Sequence, residues 1–303
     1  MRRCGVIEAA FVTGSTGFLG RALVARLRDE GVPVVGFSRR GGPVPGEVAG
    51  DVCRLSEVEH ALRSAQPSHV FHLAALKERR ATVDSLPKAL ERNAIGTTNV
   101  LLAALRADCR RVVVVGTAEE YGPIDAPFRE SDAERPTSVY GVSKLAATRA
   151  SLAFEAATSL EVVVMRPGVA YGPGQPRDMF LGALLDALLR GRRFAMTTGE
   201  QTRDFVFVDD VVAGLVSAAR APGVSGRVLN LGSGRPVRVR DAAELSQELV
   251  GVTGLLEVGR VPLRAGEALD YWLDPTTTRE LTGFRASVEL ADGLARTIRT
   301  LRQ

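Results

Sequence analysis

Tyr140-Gly141-Val142-Ser143-Lys144 sets a phenol and an ammonium four residues apart, which on a helix puts both on one face. A free tyrosine holds its proton to about pH 10, so passing it near neutrality requires weakening that hold by about 4 kcal/mol. An adjacent lysine with a second positive charge nearby works in that direction by favouring the phenolate. The chain has only four tyrosines and three lysines, so composition alone does not readily produce the pair. Taken in isolation the spacing describes a solvated helix face, and its neighbours have to decide. Just upstream, the apolar run Val112-Val113-Val114-Val115 delivers Gly116-Thr117-Ala118-Glu119-Glu120-Tyr121-Gly122 to a strand end. In an open parallel sheet that is the edge where ligands bind.

These residues need a scaffold, and the chain supplies one by alternation. Ala10-Phe11-Val12-Thr13 reads as a short strand running into Gly14-Ser15-Thr16-Gly17-Phe18-Leu19-Gly20 and then a helix from Arg21 to Glu30. Strand, glycine turn and helix make a dinucleotide site, because glycines let the backbone approach a pyrophosphate whose charge sits at the helix N-terminus. Gly14, Thr16, Gly17, Phe18, Leu19 and Gly20 are therefore candidate cofactor contacts. The second strand, Val32 to Phe37, ends in Ser38-Arg39-Arg40 with no acid for a ribose 2′-hydroxyl. An arginine there accommodates a 2′-phosphate, so NADP is expected, with NAD as the alternative. Asp51 and Val52 follow a short third strand at a position suited to the adenine.

The pattern continues with a helix over 55–64, a strand over 69–73, a helix over 86–107, the 112–115 strand, the Tyr140 helix to about 158 and a strand over 160–165. This is an α/β fold with a doubly wound parallel sheet of the Rossmann type. From Arg166 the breaker-rich Arg166-Pro167-Gly168-Val169-Ala170-Tyr171-Gly172-Pro173-Gly174 should leave the sheet. Beyond it a helix is expected over 179–189, a strand and an N-capped helix over 199–220, a strand over 228–231, a helix over 241–250, a strand over 255–258 and a last helix over 290–301. We expect a dinucleotide-binding domain from 1–165 plus 201–231, and a smaller interleaved substrate-binding lobe from 166–200 plus 232–303.

Composition excludes several other classes. No run approaches the length of apolar sequence a membrane span needs, and the first strand begins too early for a signal peptide, so a cytoplasmic protein is expected. The net charge of +4 is spread along the chain, which argues against a nucleic-acid partner. Cys4, Cys53 and Cys109 support neither disulfides nor a zinc cluster, and His60, His69 and His72 have no ligand spacing, so no metal is expected.

The glycine turn, Thr117, Tyr140 with Lys144, and Arg203-Asp204-Phe205 together resemble the extended short-chain dehydrogenase/reductase family, in the branch that modifies nucleotide sugars. The resemblance extends to His72-Leu73-Ala74-Ala75, Asn93, Gly172-Pro173-Gly174, and Arg264-Ala265-Gly266-Glu267 followed by Tyr271-Trp272. It implies that Thr117 hydrogen-bonds the sugar oxygen, Tyr140 moves the proton, and Lys144 holds the nicotinamide ribose while lowering the tyrosine's affinity for its proton. It further implies that Leu73, Ala74 and Ala75 line the cofactor, that Arg203 and Arg264 bind the substrate diphosphate, and that Asn93 and Glu267 contact substrate. The helices at 86–107 and 138–158 resemble those of a four-helix dimer interface, which implies a homodimer.

Departures bear on the reaction. Val169 stands where most nucleotide-sugar relatives have a phosphate-contacting asparagine. Family 4,6-dehydratases carry Thr-Asp-Glu or Thr-Ser-Glu where this chain has Thr117-Ala118-Glu119, and Ala118 can do no acid–base work. Glu119 remains a candidate acid or base. The surroundings resemble most the 4-ketoreductases of nucleotide 4-keto-6-deoxyhexoses, so NADPH-dependent reduction at C4 is expected. A 4-epimerase is the first alternative, followed by a 4,6-dehydratase and then a non-catalytic NADP-binding protein.

Overall fold

The computed structural model describes residues 5–42, 46–77, 82–263 and 268–303. Its first six strands are β1 (Ala10–Thr13), β2 (Val34–Ser38), β3 (Glu47–Ala49), β4 (His69–His72), β5 (Arg111–Val115) and β6 (Glu161–Pro167). They are followed by β7 (Val169–Tyr171), β8 (Phe194–Ala195), β9 (Thr202–Phe207), β10 (Arg227–Leu231), β11 (Pro236–Arg238) and β12 (Leu256–Glu257). Seven strands form one sheet in the order β10-β6-β5-β4-β1-β2-β3, parallel throughout. The chain runs outward from β1 to β2 and β3, then returns to β4 on its other side. That reversal opens a crevice at the carboxyl ends of β1 and β4.

Helices cover both faces, which explains why the strands read as unbroken apolar runs. Side chains alternate: Ala10, Val12, Val113, Val115, Val163 and Met165 pack to one side, while Phe11, Val112, Val114, Val162 and Val164 pack to the other. The first face is covered by α1 (Phe18–Asp29), the second by α2 (Leu55–Ala65) and by the run from Leu86 to Arg106. Each fully buried valine of β5 and β6 contributes roughly 1.5–3 kcal/mol. Arg111 is an exception in this core, and its partners account for it. It pairs with Glu161 at 2.6 Å and donates to the carbonyls of Ala218, Ala219 and Ala221 at the end of a helix.

The helix expected over 86–107 is three pieces: α3 (Leu86–Leu90), a π-helical turn (Glu91–Ile95) and α4 (Gly96–Arg106). Local periodicity does not distinguish a π turn from continuous helix, and here the wide turn carries Asn93 and is followed by Thr97, whose hydroxyl donates to the Asn93 carbonyl at 2.5 Å. Next come α5 (Val139–Ala157), capped by Ser138, and α6 (Phe180–Leu189).

The segment from 201 divides between the two parts of the molecule. β9 pairs with β7 and β11 in a separate three-stranded sheet, whereas α7 (Val208–Arg220), which follows it directly, packs on the large sheet. The expected side-chain cap on α7 is absent, since Phe207 occupies the cap position. Asp210 instead accepts from Ser287 and Val288 of the C-terminal segment. The second core joins β9 to α6, α8 (Val239–Val250) and α10 (Leu290–Arg302), the chain passing through α9 (Thr276–Thr282) between the last two; Tyr171 there lies edge-on to Phe205 and Phe207.

Candidate active site

At the crevice, α1 begins at Phe18 with Gly17 as its cap, three residues earlier than expected, so its unpaired N–H groups open directly onto the glycine turn. Gly14 takes a φ of +70°, and a Cβ there would lie 2.8 Å from the Ala74 nitrogen. A Cβ on Gly20 would lie 2.1 Å from the Gly14 carbonyl oxygen. Thr16 and Leu19 sit in the same turn and helix start, and Leu73 donates its N–H to the Thr13 carbonyl, which brings Ala74 and Ala75 alongside. Beneath, the Thr13 hydroxyl receives the Ala74 N–H and bonds His72, whose other ring nitrogen meets Thr97 at 3.0 Å. Burial, with Lys144 adding repulsion, takes the His72 imidazole down to about 3, so it is a neutral strut.

At the far end of the turn, Ser38 is buried and Arg39 and Arg40 are exposed. Asp51 is engaged by Arg92 and by the Cys53 N–H, and its backbone N–H donates to Glu57 at 2.8 Å. Burial works against the Asp51 carboxylate, but these bonds outweigh it and leave its pKa below the usual range. Val52 packs against Gly96.

Tyr140 and Lys144 lie in the first turns of α5, and both are largely withdrawn from water. Burial takes the Lys144 ammonium down to about 8, against the attraction of Glu120. The expectation that Lys144 weakens the phenol's hold on its proton is reversed in the chain by itself. Burial first, then the negative field of Glu119 and Glu120, push the Tyr140 phenol well above its usual range. One buried lysine does not offset desolvation and two carboxylates.

A second cation is nonetheless present. Lys77 places its Nζ 4.9 Å from the centre of the Tyr140 ring and 2.8 Å from Glu119 Oε1. Ser138 donates to the other oxygen of Glu119 at 2.8 Å while also capping α5 through the Gly141 N–H. Lys77 at the edge of a loop reads as a solvated charge, and no local signal in the sequence joins it to an acid 42 residues away.

Thr117 caps a short helical turn, Ala118–Glu120, and its oxygen accepts the Glu119 N–H at 3.3 Å. Its own N–H donates to Glu120 Oε1 at 2.9 Å. Glu120 is fully buried; its other oxygen receives Thr148 at 2.8 Å and Arg166 at 2.7 Å. Arg166, also fully buried, pairs with Glu134 at 2.6 Å and stacks 4.6 Å from the centre of the Tyr121 ring. Tyr121 in turn donates to Asn230 at 2.7 Å. This inner frame fixes the backbone that presents Thr117.

Asn93 is buried and its amide is committed. Its oxygen receives the Leu76 N–H at 2.7 Å, and its nitrogen donates to the Leu76 carbonyl and to Ser143 at 2.8 Å. It therefore ties the Leu76 loop to α5 and has no proton left to offer a substrate. Arg203 stacks 5.5 Å from the centre of the Tyr271 ring and donates to the Thr202 and Ala268 carbonyls. Tyr271 is held protonated by burial first and then by the field of Glu119. Next to it, Asp204 gathers Ser233, Gly234 and Leu273 around its carboxylate. Arg264 and Glu267 lie outside the described residues.

Among the described residues, the Tyr140 hydroxyl, the Lys144 ammonium and the Thr117 hydroxyl proton have no hydrogen-bond partner, while Asn93, Glu119 and Glu120 beside them are engaged; in the frame below, one Arg166 nitrogen, Nη1, is buried and unpaired. A buried ammonium without a partner beside a glycine turn that opens on a helix N-terminus fits a nicotinamide dinucleotide, whose ribose hydroxyls and pyrophosphate complement both.

The profile of the NAD dependent epimerase/dehydratase family matches residues 10–232. The chain is 31% identical over 309 residues to a UDP-glucose 4-epimerase of Mycolicibacterium smegmatis, covering 96% of this chain and 97% of that protein. It is 32% identical over 297 residues to a dTDP-6-deoxy-L-talose 4-dehydrogenase (NAD(P)(+)) of Kitasatospora kifunensis, covering 90% and 89%. Among solved structures, that of MoeE5 in complex with UDP-glucuronic acid and NAD superposes with a TM-score of 0.89 at 37% identity, over 97% of this chain and 99% of that one. The chain thus belongs to the NAD dependent epimerase/dehydratase family, the nucleotide-sugar branch of the extended short-chain dehydrogenases/reductases.

Proposed function

We propose that the chain is a 4-epimerase of a UDP-hexose or UDP-hexuronate that keeps its dinucleotide through the cycle. The observation that carries this reading is the set of unspent groups: among the described residues around Thr117 and Tyr140, a phenol, an ammonium and one hydroxyl proton are free for ligands, while Glu119 and Glu120 are engaged by neighbouring side chains. Dehydration needs further acid–base groups, but Ala118 replaces one and Glu119 is tied to Lys77 and Ser138. Epimerisation at C4 needs a single proton carrier that gives back what it takes.

When bound, the dinucleotide supplies a hydride acceptor and, in its oxidised form, a positive charge. The chain's own residues do the rest. As the phenolate, which Lys144 and the positive charge of the oxidised dinucleotide would favour, Tyr140 takes the C4 hydroxyl proton and later returns it, Thr117 donates to the same sugar oxygen, and Lys144 holds the nicotinamide ribose. Arg203, backed by Tyr271, takes the diphosphate. Leu73, Ala74 and Ala75 line the cofactor. We assign NAD in place of the NADP expected from Ser38, Arg39 and Arg40, supported by the NAD bound in the MoeE5 structure.

Reduction of a nucleotide 4-keto-6-deoxyhexose is the second reading, favoured by the likeness to the Kitasatospora 4-dehydrogenase. The test is incubation with UDP-glucose, UDP-galactose or UDP-glucuronic acid and no added cofactor, separating C4 epimers by chromatography. A parallel arm supplies 4-keto-6-deoxy nucleotide sugars with NADPH and follows absorbance loss. Interconversion in the first arm is expected; turnover in the second arm alone would replace the epimerase reading by the reductase one.

A further inference from the structure

β2 ends without the acid that would receive a ribose 2′-hydroxyl, yet a carboxylate reaches the same region from the adjacent strand. Glu47, the first residue of β3, pairs in register with Gly36 of β2. Its side chain lies across that glycine: a Cβ on Gly36 would stand 2.2 Å from Glu47 Oε1. Gly42 bounds the stem of the same side chain, with an added Cβ 3.0 Å from Glu47 Cγ. The other oxygen, Oε2, accepts from the Ser15 hydroxyl at 2.6 Å. Ser15 is the second residue of the glycine turn, and β1 and β2 are neighbours. The carboxylate therefore sits between the glycine turn and the later part of β2, on the side of the crevice that takes the adenosine ribose in a doubly wound sheet.

We propose that Glu47 selects an unphosphorylated ribose and so makes the chain prefer NAD(H) to NADP(H). A carboxylate accepts a hydrogen bond from a 2′-hydroxyl, whereas a 2′-phosphate brings it close to about two like charges. Arg39 and Arg40 are exposed beyond the strand end and would have to outweigh a carboxylate already held in place by Ser15. The inference rests on the dinucleotide site described above and is independent of which sugar reaction the enzyme performs.

Equilibrium titration of the full chain with NADH and, separately, NADPH tests it, after charcoal removal of any bound nucleotide and with nucleotide fluorescence as the readout. The chain should bind NADH at least about tenfold more tightly than NADPH, and Glu47→Gln should narrow that ratio by about tenfold, mainly by tightening NADPH. Glu47→Ala should move the ratio the same way. Equal affinities or a preference for NADPH in the unaltered chain would overturn the proposal, as would a ratio that both substitutions leave unchanged. Because binding is read directly, a protein inactive on every sugar would leave this outcome standing, and an active epimerase that prefers NADPH would refute Glu47 and the assignment of NAD while leaving the sugar reaction untouched.

Discussion

The two ends of the nucleotide crevice are built on opposite terms. At the adenosine end the polar groups are already paired: Asp51 with Arg92 and Cys53, Glu47 with Ser15. At the reactive end Lys144 is buried and Tyr140 half-buried, and neither the ammonium nor the phenol oxygen has a hydrogen-bond partner among the described residues, although Lys77 sits over the Tyr140 ring. The first end is a preformed socket whose fit costs the fold little. The second holds an ammonium that Glu120 only partly offsets and a phenol pressed by two carboxylates, a cost that a bound ligand would relieve. Free and paired groups should therefore fail differently when altered.

The largest effect belongs to Tyr140. Tyr140→Phe should lower kcat by about 10³-fold while the midpoint of urea unfolding and the affinity for NADH stay near those of the unaltered chain. A comparable loss of stability would show that the phenol is structural. Arg166→Met works from the opposite side, removing one member of a fully buried ion pair, and should cost about 3–5 kcal/mol in equilibrium unfolding. An unchanged midpoint would mean that the inner frame under Thr117 is dispensable.

Lys144→Met should bind NADH poorly yet unfold at higher urea concentration near neutrality. The ammonium's pKa falls from 10.5 to about 8 on burial, so below pH 8 the fold carries the full penalty, on the order of 3 kcal/mol. Between pH 8 and 10.5 the unfolded chain binds the extra proton, so the stability of the unaltered chain rises through that window. The gain from Lys144→Met should shrink correspondingly, and a gain independent of pH would break the comparison. The smallest effect is expected at Lys77. Lys77→Met leaves Glu119 unneutralised beside Tyr140, so turnover should fall about tenfold with its pH profile displaced upward, and Lys77→Arg should recover most of it. An unmoved profile would confine Lys77 to packing.

Legibility in the sequence followed distance along the chain. The glycine turn, the strands β1, β4, β5 and β6 and the Tyr140 to Lys144 spacing are each written in a few consecutive residues, and all stand in the structure where the local pattern puts them. What stayed hidden is pairing between residues far apart: Ser15 with Glu47 across 32 residues, Lys77 with Glu119 across 42, Arg166 with Glu120 across 46. These partners meet only because the order β10-β6-β5-β4-β1-β2-β3 brings their strand ends together, and periodicity does not encode sheet order. The absence of an acid at Ser38 is plain in the sequence; that Glu47 lies across Gly36 from β3 depends on register. Asn93 was equally visible, but a π turn aims it at Leu76 and Ser143 and spends it there.

One joint has a mechanical consequence. β9 ends at Phe207 and α7 begins at Val208, so a strand of the small sheet becomes, with no intervening loop, a helix bedded on the large sheet. Hinges absorb rotation in a few loop or element-terminal residues, and at this crossing Phe207 and Val208 are the whole of the connection. A shift of β9 at Asp204 is therefore joined to α7 on the large sheet through that single peptide link. Two glycines inserted between Phe207 and Val208 would loosen the link between the small sheet and the large one.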